Sequence, residues 1–153
     1  MKTIPYENAT SGNGAIEEIR KILNQLGCQR FGFMTDNEKG ELLVQFTYRD
    51  REVSIAASYD GYAAAFLRAK PHSYRMRRGR VEYERDVKAQ AQISVCSVLR
   101  DWIKGQIMAI ECGILSFDGA FLGQILIPHT GKTVLEAVNE KKLLAIAQEA
   151  PQT

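Results

Sequence analysis

The chain has 153 residues, of which 45% are hydrophobic and 25% charged, and it carries a net charge of +2. This is one domain's worth of sequence with enough apolar residues for a core, which excludes large-scale disorder. Its most apolar stretch, "IMAIECGILSFDGAFLGQILIP", is interrupted by Glu111 and Asp118, so a membrane span is excluded and no membrane partner is expected.

In chain order, residues 1–13 are polar and read as a flexible arm. Ile16, Ile19, Ile22, Leu23 and Leu26 then recur at helical spacing, with Glu17 and Glu18 expected in the first turn and Gly27 placed to end the helix. Three strands are expected next: "CQRFGFM", the turn "TDNEKG", "ELLVQFTYR", a corner at Asp50-Arg51, and "EVSIAAS". Phe31, Phe33, Leu42, Val44, Phe46, Tyr48, Val53, Ile55 and Ala57 alternate onto one face, expected to lie under the first helix. The other face shows Arg30, Gly32, Gln45, Thr47, Arg49, Ser54 and Ala56, the pattern of an antiparallel meander with one wet side.

"YDGYAAAFLRAK" predicts a short helix with Tyr62, Ala63, Phe66 and Leu67 inward, stopped by Pro71. A longer helix is expected from Val81 to about Cys112. Val87, Ala91, Val95, Val98, Trp102 and Ile103 form its apolar stripe, Gly105 its weak point, and Glu84 and Lys88 an i,i+4 pair. Ser116 is placed to cap a helix built on Phe117, Phe121, Leu122 and Ile125, and a last helix is expected from Thr133 to about Gln148. The fold class is α+β: an N-terminal helix, a three-stranded antiparallel meander, then a mostly helical C-terminal half. Residues 14–148 form the expected single domain, with 149–153 a tail.

No catalytic or metal signature stands out along the chain. "GKT" at Gly131–Thr133 lacks the glycine a phosphate loop needs five positions earlier, where Leu126 stands, so a turn with Thr133 as a helix cap is expected. "SGNG" at Ser11–Gly14 precedes a helix and reads as the capped end of the arm. His72 and His129 stand far apart, and Cys96 and Cys112 lie on apolar helical stretches where cysteine behaves as a small core residue. Glu84, Asp86 and Lys88 read as a solvated helix face, not a metal-binding nuclease set. The expectation is a non-enzyme without cofactor or metal. Three cysteines, an odd number, together with the lack of an apolar leader, point to free thiols and the cytoplasm.

Charge carries the remaining signal. In "RAKPHSYRMRRGR", Arg68, Lys70, Arg75, Arg77, Arg78 and Arg80 give +6 within thirteen residues, which leaves −4 for the rest of a chain of net +2. Local field, not net charge, steers a polyanion. Arginine forks match phosphate, and Tyr74 and His72 are placed to lie against bases. The expected site is therefore Arg68, Lys70, His72, Tyr74, Arg75, Arg77, Arg78 and Arg80, joined by Arg30 and Arg49 from the wet sheet face. Nucleic acid, single-stranded DNA or RNA, is the expected partner; the alternative is an adaptor or inhibitor of a host protein. The competing account pairs Arg77, Arg78 and Arg80 with Glu82 and Glu84 as ordinary surface ion pairs.

"MKTIPYENATSGNGAIEEI" and "SVLRDWIKGQIMAIECGILSFDGAFLGQIL", with "LRDWIKGQ" the most distinctive part, resemble small uncharacterised proteins encoded in bacterial phages and prophages. The resemblance implies an accessory protein acting inside a bacterial host cell and carries over no site residue. Physically, "LRDWIKGQ" places Trp102 and Ile103 inward with Arg100, Asp101 and Lys104 in water. A homodimer through the long helix around Trp102 is the sharper reading of the same motif.

Overall fold

The computed structural model describes residues 3–145. Its first helix, α1, spans Gly12–Leu26, two residues earlier than the arm boundary read from sequence. Ser11 caps it, its Oγ accepting from Gly14 N at 3.0 Å, and Gly27 ends it at φ 97°, a left-handed conformation that favours glycine. The earlier start moves Glu17 and Glu18 out of the first turn. Glu18 instead reaches Arg100 and Lys104, each at 3.6 Å.

The sheet is the expected meander: β1 (Arg30–Asp36), β2 (Glu41–Tyr48) and β3 (Arg51–Ser58), antiparallel in the order β1-β2-β3. Leu42, Val44, Phe46, Val53 and Ile55 are buried on one side. The second turn is Arg49-Asp50, one residue earlier than expected, because Tyr48 pairs with Arg51. Arg49 takes a left-handed φ of 53° there, so it stands at the hairpin tip and not on the wet face. The guanidinium of Arg51 grips Asp118 through two bonds of 3.0 and 3.1 Å. In the first turn, Gly40 has a φ of 66° and its carbonyl accepts from Tyr59 and Asp60 N–H groups. A side chain at Gly40 would run into the Asp60 carboxylate.

Helix α2 spans Tyr59–Ala69 and is capped by Ser58. Helix α3 spans Arg80–Glu111 without a break at Gly105. Tyr83, Val87, Ala91, Val95, Leu99, Ile103 and Ile107 are its buried row, one residue every four. With 3.6 residues per turn, such a row drifts by roughly 40° per step. The row therefore winds around the helix, and α3 meets α2, then α1 and the sheet, then the short helix α4 (Phe117–Phe121). The covering of the sheet is thus shared, with α3 against β2 and β3 and α1 against β1. The winding also corrects the expected stripe: Leu99 is buried where Val98 is 37% exposed, and Trp102 is equally exposed with its ring edge-on to Phe121 at 5.7 Å.

Ser116 caps α4, accepting from Gly119 N, and Thr133 caps α5 (Val134–Glu140), accepting from Glu136 N. α4 is only five residues, so Leu122 lies past its end and is exposed, whereas Phe121 and Ile125 are buried. α5 ends at Glu140, followed by turn at residues 141–144; residues 146–148 of the expected helix lie outside the described residues. Cys96 is buried, but Cys112, which ends α3, is exposed.

Residues expected as a loose arm are instead tied to α2 and α3. Tyr62 Oη donates to the Pro5 carbonyl (2.7 Å), Gln90 Nε2 to that of Ala9 (2.8 Å) and Ser94 Oγ to that of Tyr6 (2.8 Å). These donors sit on buried or half-buried helical faces, which is why a polar sequence is held in place.

Candidate nucleic-acid interface

Pro71 stops α2 because its ring blocks a helical predecessor and it has no N–H to donate. The chain then crosses to α3 through a loop whose neck and tip differ. At the neck, Tyr83 Oη donates to the Lys70 carbonyl (2.6 Å) and His72 Nε2 to the Arg78 carbonyl (2.8 Å), so that ring nitrogen carries the proton. The two rings lie 5.7 Å apart, and the Arg78 guanidinium stands 5.3 Å over Tyr83. Beyond this clasp, residues 73–77 project as a tip, with Tyr74 86% exposed. The Arg75 guanidinium lies 5.7 Å from the centre of the Tyr74 ring.

The six basic residues fall into two groups. Lys70 pairs with Glu7 (2.5 Å), Arg78 with Asp86 (2.6 Å) and Arg80 with Glu84 (3.1 Å). The expected Glu84–Lys88 pair does not form, since Glu84 is taken by Arg80 and Lys88 reaches Asp60 at 3.1 Å. Arg68, Arg75 and Arg77 are exposed and make no ion pair with any described residue. Exposed Arg85, in the same turn of α3 as Asp86, also has no carboxylate partner among the described residues. Sequence reading passed over Arg85 because it sits inside the mixed-charge run "ERDVK".

Arg30 and Arg49 lie elsewhere. Helix α3 serves as a ruler: Lys70 is joined to it at Tyr83, whereas the β2–β3 hairpin reaches it at Trp102 through Phe46 and Phe121. Nineteen residues of helix span roughly 29 Å, so the basic loop and Arg49 stand at opposite ends of the molecule. Arg49 lies 5.1 Å over Tyr48 and beside a groove that also holds Asp50 and Glu52. Arg30 belongs to the cross-strand row Arg30–Thr47–Glu52. The wet sheet face is thus mixed in sign and separate from the loop, and the arginines that can act together are those of the tip and its flanks.

Among the described residues, no three His, Cys, Asp or Glu side chains gather as metal ligands would, and no helix is long and apolar enough to cross a membrane. Burial pushes the Cys28 thiol up to about 11, so it is a poor nucleophile near neutral pH. Neither protein-family models, nor curated proteins, nor solved structures provide a match to this chain.

Proposed function

We propose that the chain binds single-stranded nucleic acid through the loop between α2 and α3, with Arg68, Arg75 and Arg77 on phosphates and Tyr74 stacked on an unpaired base. The observation that carries this reading is the exposed Tyr74 ring with the Arg75 guanidinium beside it, in a segment where Arg68, Arg75 and Arg77 have no carboxylate partner among the described residues. An unpaired base offers its face to such a ring, whereas a duplex hides its faces in the stack. Lys70 and Arg78 tie the loop to Glu7 and Asp86, Arg80 is paired to Glu84 within α3, and Arg30 and Arg49 stand too far away to share one short strand. A bacterial host cell as the setting is part of the same proposal.

Fluorescence anisotropy with a labelled oligonucleotide tests the reading. Three phosphate contacts give a slope of log affinity on log salt near −2, or about a twentyfold loss between roughly 50 and 200 mM salt. Changing Arg68, Arg75 and Arg77 together to Ala should abolish that slope. Equal binding by this variant, or none by the wild type at low salt, removes the proposal.

A second reading, an adaptor or inhibitor docking on a host protein, is favoured by a separate observation. Met108, Ile114, Leu115, Leu122 and Leu135 are all exposed, on the last turns of α3, on either side of α4 and on α5. The two readings separate on purification, since a nucleic-acid binder should carry ultraviolet-absorbing polynucleotide that salt strips away, and an adaptor should not.

A further inference from the structure

The two edges of the sheet are finished differently. Along β3, Val53 is bridged to Ile125 and the Leu126 N–H donates to the Glu52 carbonyl at 2.8 Å, so part of that edge is covered. Along β1, no described residue pairs with the outer side. Strand β1 also lacks the usual protections of an edge. It has no proline, its pairing with β2 runs unbroken from Arg30 to Asp36 without a bulge, and Phe31 to Thr35 carries no charge. The apolar side of the strand is equally unfinished. Phe33 and Thr35 border an open cleft of about 400 Å³ between β1 and the start of α1, and Met34 is 55% exposed on the other side.

We infer that β1 pairs with β1 of a second copy of this chain, antiparallel and centred on Phe33, to give a continuous six-stranded sheet. The sequence of the strand selects this occupant and this register. With Phe33 opposite Phe33 of the partner subunit, Arg30 falls opposite the partner's Asp36, and Asp36 opposite the partner's Arg30. Residues directly opposite share a face, so both ion pairs form on the wet side, where Arg30 has no acidic partner among the described residues. On that same side Met34 falls opposite the partner's Gly32, whose missing side chain leaves the space the methionine needs; nothing lies within 4 Å of a Cβ built at Gly32. On the other side the two Phe33 rings meet at the two-fold axis. A shift of register by one residue would separate both charge pairs and turn Met34 away from the glycine. A two-fold arrangement satisfies each contact twice, as an isologous interface requires.

Sedimentation of the full chain over a dilution series, with circular dichroism on every variant, tests the inference. The wild type is expected to approach twice the chain mass as concentration rises. Arg30→Glu alone places two acids opposite each other at both ends of the ladder, and Asp36→Lys alone places two cations there, so each variant should remain a single chain. Mixed in equal amounts, the two carry complementary charges at both ends and should recover the dimer as a heterodimer. The Asp36 carboxylate also accepts from the Glu38 and Lys39 N–H groups. Asp36→Asn keeps those bonds, removes the charge, and should weaken the dimer about tenfold, the loss of two peripheral ion pairs. A wild type that stays a single chain at every concentration overturns the inference. So does a mixture that fails to recover dimer, or a dimer that survives in both single variants, which would move association to another face such as the long helix around Trp102. None of these outcomes bears on oligonucleotide binding at the loop.

Discussion

Residues 3–11 and residues 70–79 are both polar, irregular segments lying against the same pair of helices, yet they are held in opposite ways. The N-terminal segment gives its carbonyls to side chains of α2 and α3, and it adds Tyr6 Oη donating to Asp101 at 2.5 Å. The loop is clasped only at its neck, by Tyr83 and His72, and its tip makes bonds within itself, such as Met76 N–H to the Ser73 carbonyl at 3.0 Å. Order in an irregular segment therefore follows from whether the body supplies partners for its backbone, not from its composition. Lys70 shows the boundary between the two regimes. It opens the basic run, but its ammonium is paired to Glu7, with only 24% and 16% of the two side chains exposed.

The largest effect should come from stripping the donors that hold the N-terminal segment. Tyr62→Phe, Gln90→Ala and Ser94→Ala together remove three bonds to the segment, of about 1 kcal/mol each, and with them the bond from Gln90 Nε2 to Ser94 Oγ. Urea unfolding should show a loss of about 3 kcal/mol, and amide exchange should become fast over residues 3–10. A smaller and more discriminating effect is expected within the basic run. Lys70→Met should lower stability by about 1 kcal/mol, because Glu7 is left half-buried and unpaired, while the salt slope of oligonucleotide binding stays unchanged. Arg75→Ala should do the reverse, with stability within about 0.5 kcal/mol of wild type and a shallower slope. If Lys70→Met flattens the slope instead, the division of the basic residues into holding and presenting groups fails.

The smallest effect concerns the Tyr6–Asp101 clasp. The Asp101 carboxyl is held below its ordinary 3.8, first by the bond from Arg100 and then by the bond from Tyr6. Its contribution is complete above that ordinary value and is lost as pH falls through the lower folded value. The Tyr6 phenol is raised above its ordinary 10.0 chiefly by the bond to Asp101, so its contribution is complete below 10.0 and is lost as pH rises through the folded value. Tyr6→Phe should therefore cost less than about 1 kcal/mol at neutral pH, a difference that vanishes in strong acid. A cost that persists there would mean the ring, not the hydroxyl, holds the segment.

The α+β class, the meander with its core face, and the caps at Ser116 and Thr133 were legible in the sequence, because alternation and side-chain capping are local signals. The turn at Arg49-Asp50 was misplaced by one residue, since pairing of Tyr48 with Arg51 is decided across strands. A straight stripe puts Val98 and Trp102 inward, whereas the i,i+4 row from Tyr83 to Ile107 winds around α3. At the candidate site, the crowding of positive charge was visible, but its partition was not. Glu7 lies sixty-three residues from Lys70 in sequence, and no periodicity announces such a pair.

Helix α3 runs in one piece from Arg80 beside the loop to Glu111 beyond the hairpin, with no proline and no interruption. Such a rod lacks a joint at which bending could be absorbed. Two spectroscopic labels placed along it should therefore keep a constant separation whether or not the loop at its start is occupied.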